Sequence, residues 1–312
     1  MPKVSIVMNC FNGQKYLREA LDSVMAQTFA DWELIFWDNA STDDSGRIAK
    51  SYQDDRLRYF RAERNAPLGA ARKLAMEQAR GEWVGFLDTD DLWKPEKLAR
   101  QLELLDGTRH VLCYAGVYEI DCNGRLIRTL LPAYTTGEMF DSQLRHFDIN
   151  MVTPLVRRQV LIDNGVTFDP SVTASEEYNL FMRLLTLGTA CSIPEVLGSV
   201  RIAPGTLTER SIGKWADERF YTIEQLVRAN PSLMPRHQAA FAQAMARGHY
   251  YRARWHMAKG EFSSARESLR QAASAGFSYR MLGWLALWPT AWRLAHAERF
   301  KRQMSTILKM TR

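Results

Sequence analysis

The chain has 312 residues, 46% hydrophobic and 24% charged, with a mean hydropathy of -0.30. These values exclude a disordered chain and a polytopic membrane protein, and the length suits one large domain or two ordinary ones. No apolar run reaches the roughly 18 residues that span a bilayer, and Met1 to Val7 has no apolar signal core, so a cytoplasmic chain is expected. Cys10, Cys113, Cys122 and Cys191 are scattered without a CxxC pair, and read as reduced thiols packed like small hydrophobes.

Charge divides the chain. Residues 211–312 carry 17 Lys plus Arg against 6 Asp plus Glu, a net of +11, whereas the first 210 carry 24 against 29, a net of -5. An acidic body repels phosphate, which argues against a nucleic-acid partner for the whole chain. Two modules facing different partners are expected, 1–208 and 209–312.

The front reads as alternating strands and helices. Val4 to Met8 is a short apolar strand ended by the loop Asn9 to Gly13. Residues 15–26 follow as a helix with Tyr16, Leu17, Ala20, Leu21, Val24 and Met25 on one stripe. Leu34 to Trp37 is a second strand, closed by the polar run Asp38 to Asp44. A strand at Leu57 to Phe60, a helix at Leu68 to Ala79 and a strand at Trp83 to Leu87 complete the pattern. It predicts an α/β fold with a mostly parallel sheet, whose ligands bind at the carboxyl ends of the strands.

The loop after the strand at Trp83 carries the strongest chemical signal. If the chain is still extended at Asp88-Thr89-Asp90, both carboxylates point to one side and repel unless a cation lies between them. Two or three oxygens are too few for a calcium cage and suit Mg2+ or Mn2+ shared with substrate phosphates. The competing reading is that these acids cap a helix beginning near Pro95.

Several runs occur together and in order. They are Val4 to Leu17, Gln27-Thr28-Phe29, Trp37 to Asp43, Gly69-Ala70-Ala71-Arg72, Phe86 to Asp91, Val152 to Arg158, Gly165 to Asp169, Ser175 to Tyr178 with Arg183, and Arg201 to Thr208. This pattern resembles the inverting glycosyltransferase family 2 of the GT-A fold, of the bacterial cell-surface polysaccharide type, over about the first 208 residues. The resemblance implies that Asn9, Phe11, Asp38 and Asn39 meet the nucleotide, that Arg72 bridges the diphosphate or a loop carboxylate, that Asp88 faces the ribose or the metal, and that Arg201 belongs to the donor-binding set. It implies that Asp90, with Asp88 and Asp91, holds the metal, with Asp91 alternatively positioning the sugar. Glu177, beside Glu176 at the start of a helix, takes the place of the catalytic base.

Each residue also has a plainer reading. Phe11 could pack in the core, Asp38 could cap a helix, Arg72 could be an exposed helical arginine, and the Glu pair could simply favour a helix N-terminus. The chain departs from the family at Asn39, where Asp is common, at Glu177, where Asp is usual, and at Ala203, where relatives often carry His. These departures put base preference and metal affinity in question, with Arg201 and Thr206 as alternative phosphate contacts.

Behind Thr208 the strand signals stop. Trp215 to Ala229, Arg236 to Lys259, Glu261 to Ala273 and Tyr279 to Phe300 read as helices, and one stretch resembles a single tetratricopeptide-like hairpin. Trp255, His249 and His256 read as packing residues. A helix through 281–295 would stack Trp284, Trp288 and Trp292 on one side, with Pro289 kinking or splitting it. Flanked by Arg280, Arg293, Arg299, Lys301 and Arg302, that face suits either an anionic membrane surface or packing within the helical region. The expected activity is metal-dependent, inverting transfer from a nucleoside diphosphate sugar, with UDP as the expected nucleotide, onto a glycan or lipid-linked acceptor. The alternatives are a non-catalytic sugar-nucleotide-binding scaffold and a sugar nucleotidyltransferase, whose Gly-rich basic loop the run Asn9 to Gly13 lacks.

Overall fold

The computed structural model describes residues 1–202 and 212–296. Ala203, Pro204, Thr206, Thr208, Arg299, Phe300, Lys301 and Arg302 lie outside the described residues. The chain forms two compact units, residues 1–209 and 210–312.

In the first unit, β1 (Val4–Cys10) is buried along its whole length and runs parallel to β2 (Trp32–Asp38) and β4 (Trp83–Phe86). Strand β3 (Leu57–Arg61) extends the parallel set beside β2. Helix α1 (Gln14–Met25) buries Leu17, Ala20, Leu21 and Val24, the spacing that puts four apolar side chains on one stripe. Helices α2 (Ser45–Lys50) and α3 (Leu68–Met76) complete the crossovers. Side chains alternate across the sheet: Val4, Ile6, Met8, Leu34 and Phe36 join one core with the α1 stripe. Phe86 meets Phe168 edge-on at 5.5 Å.

Beyond β4 the sheet becomes mixed. After the two-residue β5 (Leu92–Trp93) and α4 (Lys97–Leu105) come β6 (Leu112–Ile120), β7 (Leu126–Leu130), β8 (Thr136–Gly137), α5 (Phe140–Arg145), β9 (Leu155–Arg157), α6 (Arg158–Asp163), α7 (Glu176–Leu185) and β10 (Ala190–Arg201). The order across the sheet is β3-β2-β1-β4-β9-β6-β10-β5, with β9 antiparallel to β4 and β6, and β10 parallel to β6. The protein is α/β. Because β1, β2 and β4 run the same way, the loops that follow them lie at one end of the sheet.

The second unit is helical: α8 (Ile212–Ala229), α9 (Leu233–Arg236), α10 (Gln238–Lys259), α11 (Phe262–Ala272), α12 (Phe277–Leu285) and α13 (Pro289–His296). Helix α10 stops at Gly260, whose φ of +79° is the left-handed conformation that ends helices. Ala253, Met257, Ala265, Leu269, Ala286 and Trp292 share one core. His249 lies against Phe220 at 4.9 Å and His256 contacts Glu261 at 2.6 Å, so both are occupied by packing and pairing.

Several expectations change. Of the two outcomes expected at Pro289, the helix is split rather than kinked, ending at Leu285 and restarting at Pro289, whose ring and missing N–H cannot continue the hydrogen-bond ladder. Trp292 is only 5% exposed and stacks on His296, so it does not share a face with Trp284 and Trp288, which are 66% and 58% exposed. Cys10, Cys113 and Cys191 are buried, but Cys122 is exposed on the β6–β7 hairpin.

Candidate active site

The loops after β1 and β2 are laced together. The Asn12 N–H donates to Ser41 Oγ at 3.1 Å, the Gly13 N–H to Ser45 Oγ at 3.0 Å and the Gln14 N–H to Asp43 Oδ2 at 3.1 Å. The third loop closes on the first at Gly13. A Cβ there would come within 2.6 Å of Thr89 Oγ1, so only glycine lets the two loops meet this closely. Thr89, the middle residue of Asp88-Thr89-Asp90, thus joins the three loops into one rim.

Asp38 ends β2 fully buried with both oxygens engaged. Oδ2 accepts from the Tyr59 hydroxyl at 2.5 Å and Arg61 Nη1 at 2.6 Å, and Oδ1 accepts from the Ser41 N–H at 2.7 Å. Burial works against its charge, but the hydrogen bonds from Tyr59 and Ser41 and the Arg61 guanidinium outweigh it and hold the carboxyl below its ordinary value. Asn39 braces the approach to α3: its Nδ2 donates to the Ala66 carbonyl at 2.8 Å and its Oδ1 accepts from the Ala66 N–H at 3.1 Å. Asn9 is buried beside them with its Nδ2 donor unpaired among the described residues. Phe11 is 51% exposed at the loop tip, which removes the core-packing reading and leaves its ring face open. An open cavity of about 890 Å³ lies behind this rim, lined by Thr42, Asp43, Arg47, Lys50, Tyr59 and Arg61, and does not include the acid cluster described next.

Residues 88–91 are not extended. The Asp91 N–H donates to the Asp88 carbonyl at 3.2 Å, so the loop is a turn, and the period-two argument for aligning Asp88 with Asp90 does not hold. The turn nonetheless keeps the acids close. Burial, then repulsion from Asp88, pushes the Asp90 carboxyl up to about 6. Asp91 is buried, accepts the Arg201 N–H at 2.9 Å, and is raised well above its ordinary value by burial and by Asp90.

Arg72 is the hub. It is buried, and its Nη2 donates to both Asp88 oxygens at 2.7 and 2.8 Å. Burial disfavours its charge, but Asp88, Glu176 and Glu177 together hold it firmly protonated. The exposed-arginine reading therefore fails. Glu176 is buried, and a Cβ added at Gly69, at the start of α3, would come within 3.3 Å of its Cγ. Glu177 opens α7 with its carboxyl pushed up to about 7, first by burial and then by Glu176, with Arg72 opposing. Asp88 and the glutamate pair thus meet around one guanidinium, although more than 80 residues separate them in the chain.

Arg201 is spent within the protein. Its Nε donates to the Asp90 carbonyl at 3.0 Å, Nη1 to the Asp121 carbonyl at 3.4 Å and Nη2 to Glu19 at 2.8 Å, with the guanidinium 4.1 Å over the Tyr16 ring. It clamps the acid loop from behind. Sequence reasoning missed this clamp, and also Tyr59 and Arg61. Those two stand two residues apart on β3 and so face one side, a signal that was available. On the flank of α7, Phe147 meets Tyr178 edge-on at 5.1 Å, next to Glu177 in the chain.

The donors fit a hard divalent cation. They are carboxylate oxygens that outnumber the nearby guanidinium, raised in proton affinity first by burial and then by one another. Among the described residues, no three His, Cys, Asp or Glu side chains form a group that could by themselves hold an ion.

The model of glycosyl transferase family 2 matches residues 5–165, just over half of the chain. The chain belongs to glycosyl transferase family 2. The matched span contains Arg72 and the acid loop, while the Glu176–Glu177 pair and Arg201 lie beyond it. Among similar family members, a putative teichuronic acid biosynthesis glycosyltransferase, TuaG of Bacillus subtilis, is 28% identical over 232 residues, covering 73% of this chain and 89% of that protein. An uncharacterized glycosyltransferase of Rickettsia felis is 27% identical over 215 residues, which cover 69% of this chain but 35% of that protein; this chain thus matches about a third of that relative's length. Staphylococcus aureus TarS residues 1–349, solved with UDP-GlcNAc, superimpose with a TM-score of 0.71 at 19% identity, covering 96% of this chain and 92% of that one. That likeness supports the GT-A fold.

Proposed function

We propose that the chain is an inverting, metal-dependent hexosyltransferase that moves a sugar from a nucleoside diphosphate, UDP foremost, onto a glycan or lipid-linked acceptor in bacterial cell-surface polysaccharide synthesis. One observation carries this reading: Arg72 gathers Asp88 of the acid loop and Glu176–Glu177 at the start of α7. The name of TuaG supports the polysaccharide context, and the UDP-GlcNAc held by TarS supports a UDP-sugar donor. We assign transfer to residues 1–208. The work is done in the cytoplasm at the inner face of the membrane; among the described residues no helix is long and apolar enough to cross it.

In this mechanism Phe11 lies against the base, while Asn9 offers its unpaired donor to it; Asp38 and Asn39 set the loop that carries the ribose. Asp90, with Asp88, would hold Mg2+ or Mn2+, which supplies neutralisation of charge on the leaving diphosphate. Asp91 and Arg201 keep that turn in place. Glu177 takes the proton from an acceptor hydroxyl as its oxygen bonds to the anomeric carbon, on the face opposite the nucleotide. The bond from that carbon to the diphosphate breaks in the same displacement, so configuration inverts. A base pushed up to about 7 is well matched to that proton transfer near neutrality.

The test is nucleotide release from a panel of UDP-, GDP- and dTDP-sugars with Mn2+ and a bacterial lipid extract as acceptor, with NMR of the product's anomeric centre. Release that EDTA stops, with an inverted product, is expected. Undiminished release in excess EDTA overturns the metal assignment, a retained configuration overturns the single displacement, and no release from any donor overturns the transferase reading.

A further inference from the structure

The second unit presents an apolar face that its own core leaves uncovered. Phe277, Met281 and Trp284 project from α12, spaced by four and three residues, so they share one side of that helix. Leu287 and Trp288 in the turn that follows, and Leu294 on α13, are exposed as well. The opposite side of the same segment is spoken for: Leu282, Leu285, Ala286 and Trp292 pack into the core with Met257 and Leu269. Six large exposed apolar side chains within 18 residues are not accidental surface hydrophobes of a monomer.

The surroundings identify the occupant. From Gln271 to Ala297 the chain has no acidic residue, and Arg280 and Arg293 are exposed among the apolar groups. Over residues 271–312 it has seven basic residues against one acidic. Indole and phenyl rings flanked by arginines, on helices too short to cross a bilayer, match the headgroup zone of an anionic membrane. A protein partner that buried this face would need acidic surface around an apolar centre, whereas an anionic bilayer supplies negative headgroups over hydrocarbon along the whole of it.

We infer that the α12–α13 face docks the protein on an anionic lipid surface, with Trp284 and Trp288 entering the headgroup layer. This inference takes up the membrane location proposed above, and its test reads vesicle binding, so its failure leaves the transfer reaction standing. The full chain is sedimented with vesicles of phosphatidylcholine containing phosphatidylglycerol and with vesicles of phosphatidylcholine alone, at low and high salt. Binding to the anionic vesicles alone, weakened by salt, is expected, as is at least about tenfold weaker binding by the Trp284→Ala, Trp288→Ala double variant. Both tryptophans are exposed, so an unchanged thermal melt shows that the variant remains folded. Arg280→Gln with Arg293→Gln should weaken anionic binding without creating binding to neutral vesicles. Equal binding to both vesicle types, or equal binding by the tryptophan variant, overturns the inference. So does a lipid-free dimer, seen by sedimentation velocity, that the tryptophan variant dissociates, because the face then belongs to a second copy of the chain.

Discussion

The rim at the carboxyl ends of the strands and the core beneath α4 both bury charge, and they handle it differently. At the rim Arg72 draws in Asp88, Glu176 and Glu177, while burial, and after it repulsion from neighbouring carboxylates, raises the Asp90 and Glu177 carboxyls to about 6 and about 7. On α4, Lys97 is fully buried, and among the described residues no carboxylate pairs with it. Its Nζ donates to Gln101 Oε1 at 2.7 Å and lies 3.9 Å from the Trp93 ring centre. Burial pulls its ammonium down to about 7, with the Cys113 thiol opposing. Charge at the rim is left unbalanced in a way that a cation and a proton can use. Charge in the core is an expense with no chemistry attached. Substitutions at the rim should therefore cost activity, and substitutions in the core should gain stability alone.

The largest effect belongs to Asp90. Asp90→Ala removes a carboxylate from the acid loop and should reduce nucleotide release to background with circular dichroism unchanged; full turnover by this variant breaks the rim side of the comparison. Glu177→Gln comes next, with turnover at least about 100-fold lower and nucleotide affinity nearly unchanged. It should also stabilise the protein. The Glu177 carboxyl is raised from 4.5 to about 7 in the fold, so folding disfavours its ionised form, and the penalty grows as pH climbs from 4.5 to about 7. Above that range the variant should be more stable by about 2–3 kcal/mol in urea unfolding, with the gain gone at pH 4. In the wild type, kcat/KM should rise between about pH 6 and 7 as Asp90 and Glu177 ionise. A flat profile there shows that neither group titrates in catalysis.

Lys97→Met tests the core side. Folding holds the lysine near 7 against an ordinary value of 10.5, so the wild type pays most below about pH 7 and progressively less as pH rises toward 10.5. After allowing for the donor lost to Gln101, the variant should gain about 1–3 kcal/mol at pH 7 and less at pH 10, with turnover unchanged. A stability difference that does not depend on pH would mean the ammonium is paired after all.

Much of this arrangement was legible in the sequence, and the gaps have physical causes. The parallel half of the sheet announces itself because Val4 to Met8, Leu34 to Trp37 and Trp83 to Leu87 are continuous apolar runs ended by polar loops. The other half rests on β6 and β10, which are unassigned in the sequence reading although they are nine and twelve residues long, and on β5, β8 and β9, each two or three residues long and specified by distant pairing that local pattern could not reveal. Likewise Glu177 was visible as a helix-opening acid, but its meeting with Arg72 is tertiary. Arg201 shows the limit most clearly: its residue type suits a diphosphate, yet its three nitrogens are taken by Asp90, Asp121 and Glu19, and no spacing in the chain foretells that. Trp292 had the same four-residue spacing as its exposed neighbours and was separated from them only by the break before Pro289.

The smallest expected effect sharpens the comparison within the rim itself. Two non-glycine residues there have positive φ: Asn12 at 52° and Ala40 at 63°. For an L residue this left-handed backbone brings Cβ against the carbonyl oxygen and costs roughly 1–2 kcal/mol. Asn12 recovers the cost, because its Oδ1 accepts the Thr42 N–H at 2.8 Å and ties the first loop to the second. Ala40 has no side-chain group with which to do so. It is held there because its neighbours are fixed, Asp38 by Tyr59 and Arg61 and Ser41 by the Asp38 carboxylate. Ala40→Gly should therefore stabilise the first unit by about 0.5–1 kcal/mol, a rise of a few degrees in melting temperature, even after the extra entropy of glycine in the unfolded chain is counted. Asn12→Gly has the same conformational relief but loses the bond to Thr42, and should destabilise by about as much. Opposite signs in the two melts locate stored strain at Ala40 alone, while equal shifts of one sign would mean that backbone angle, not the lacing of the loops, governs this part of the rim.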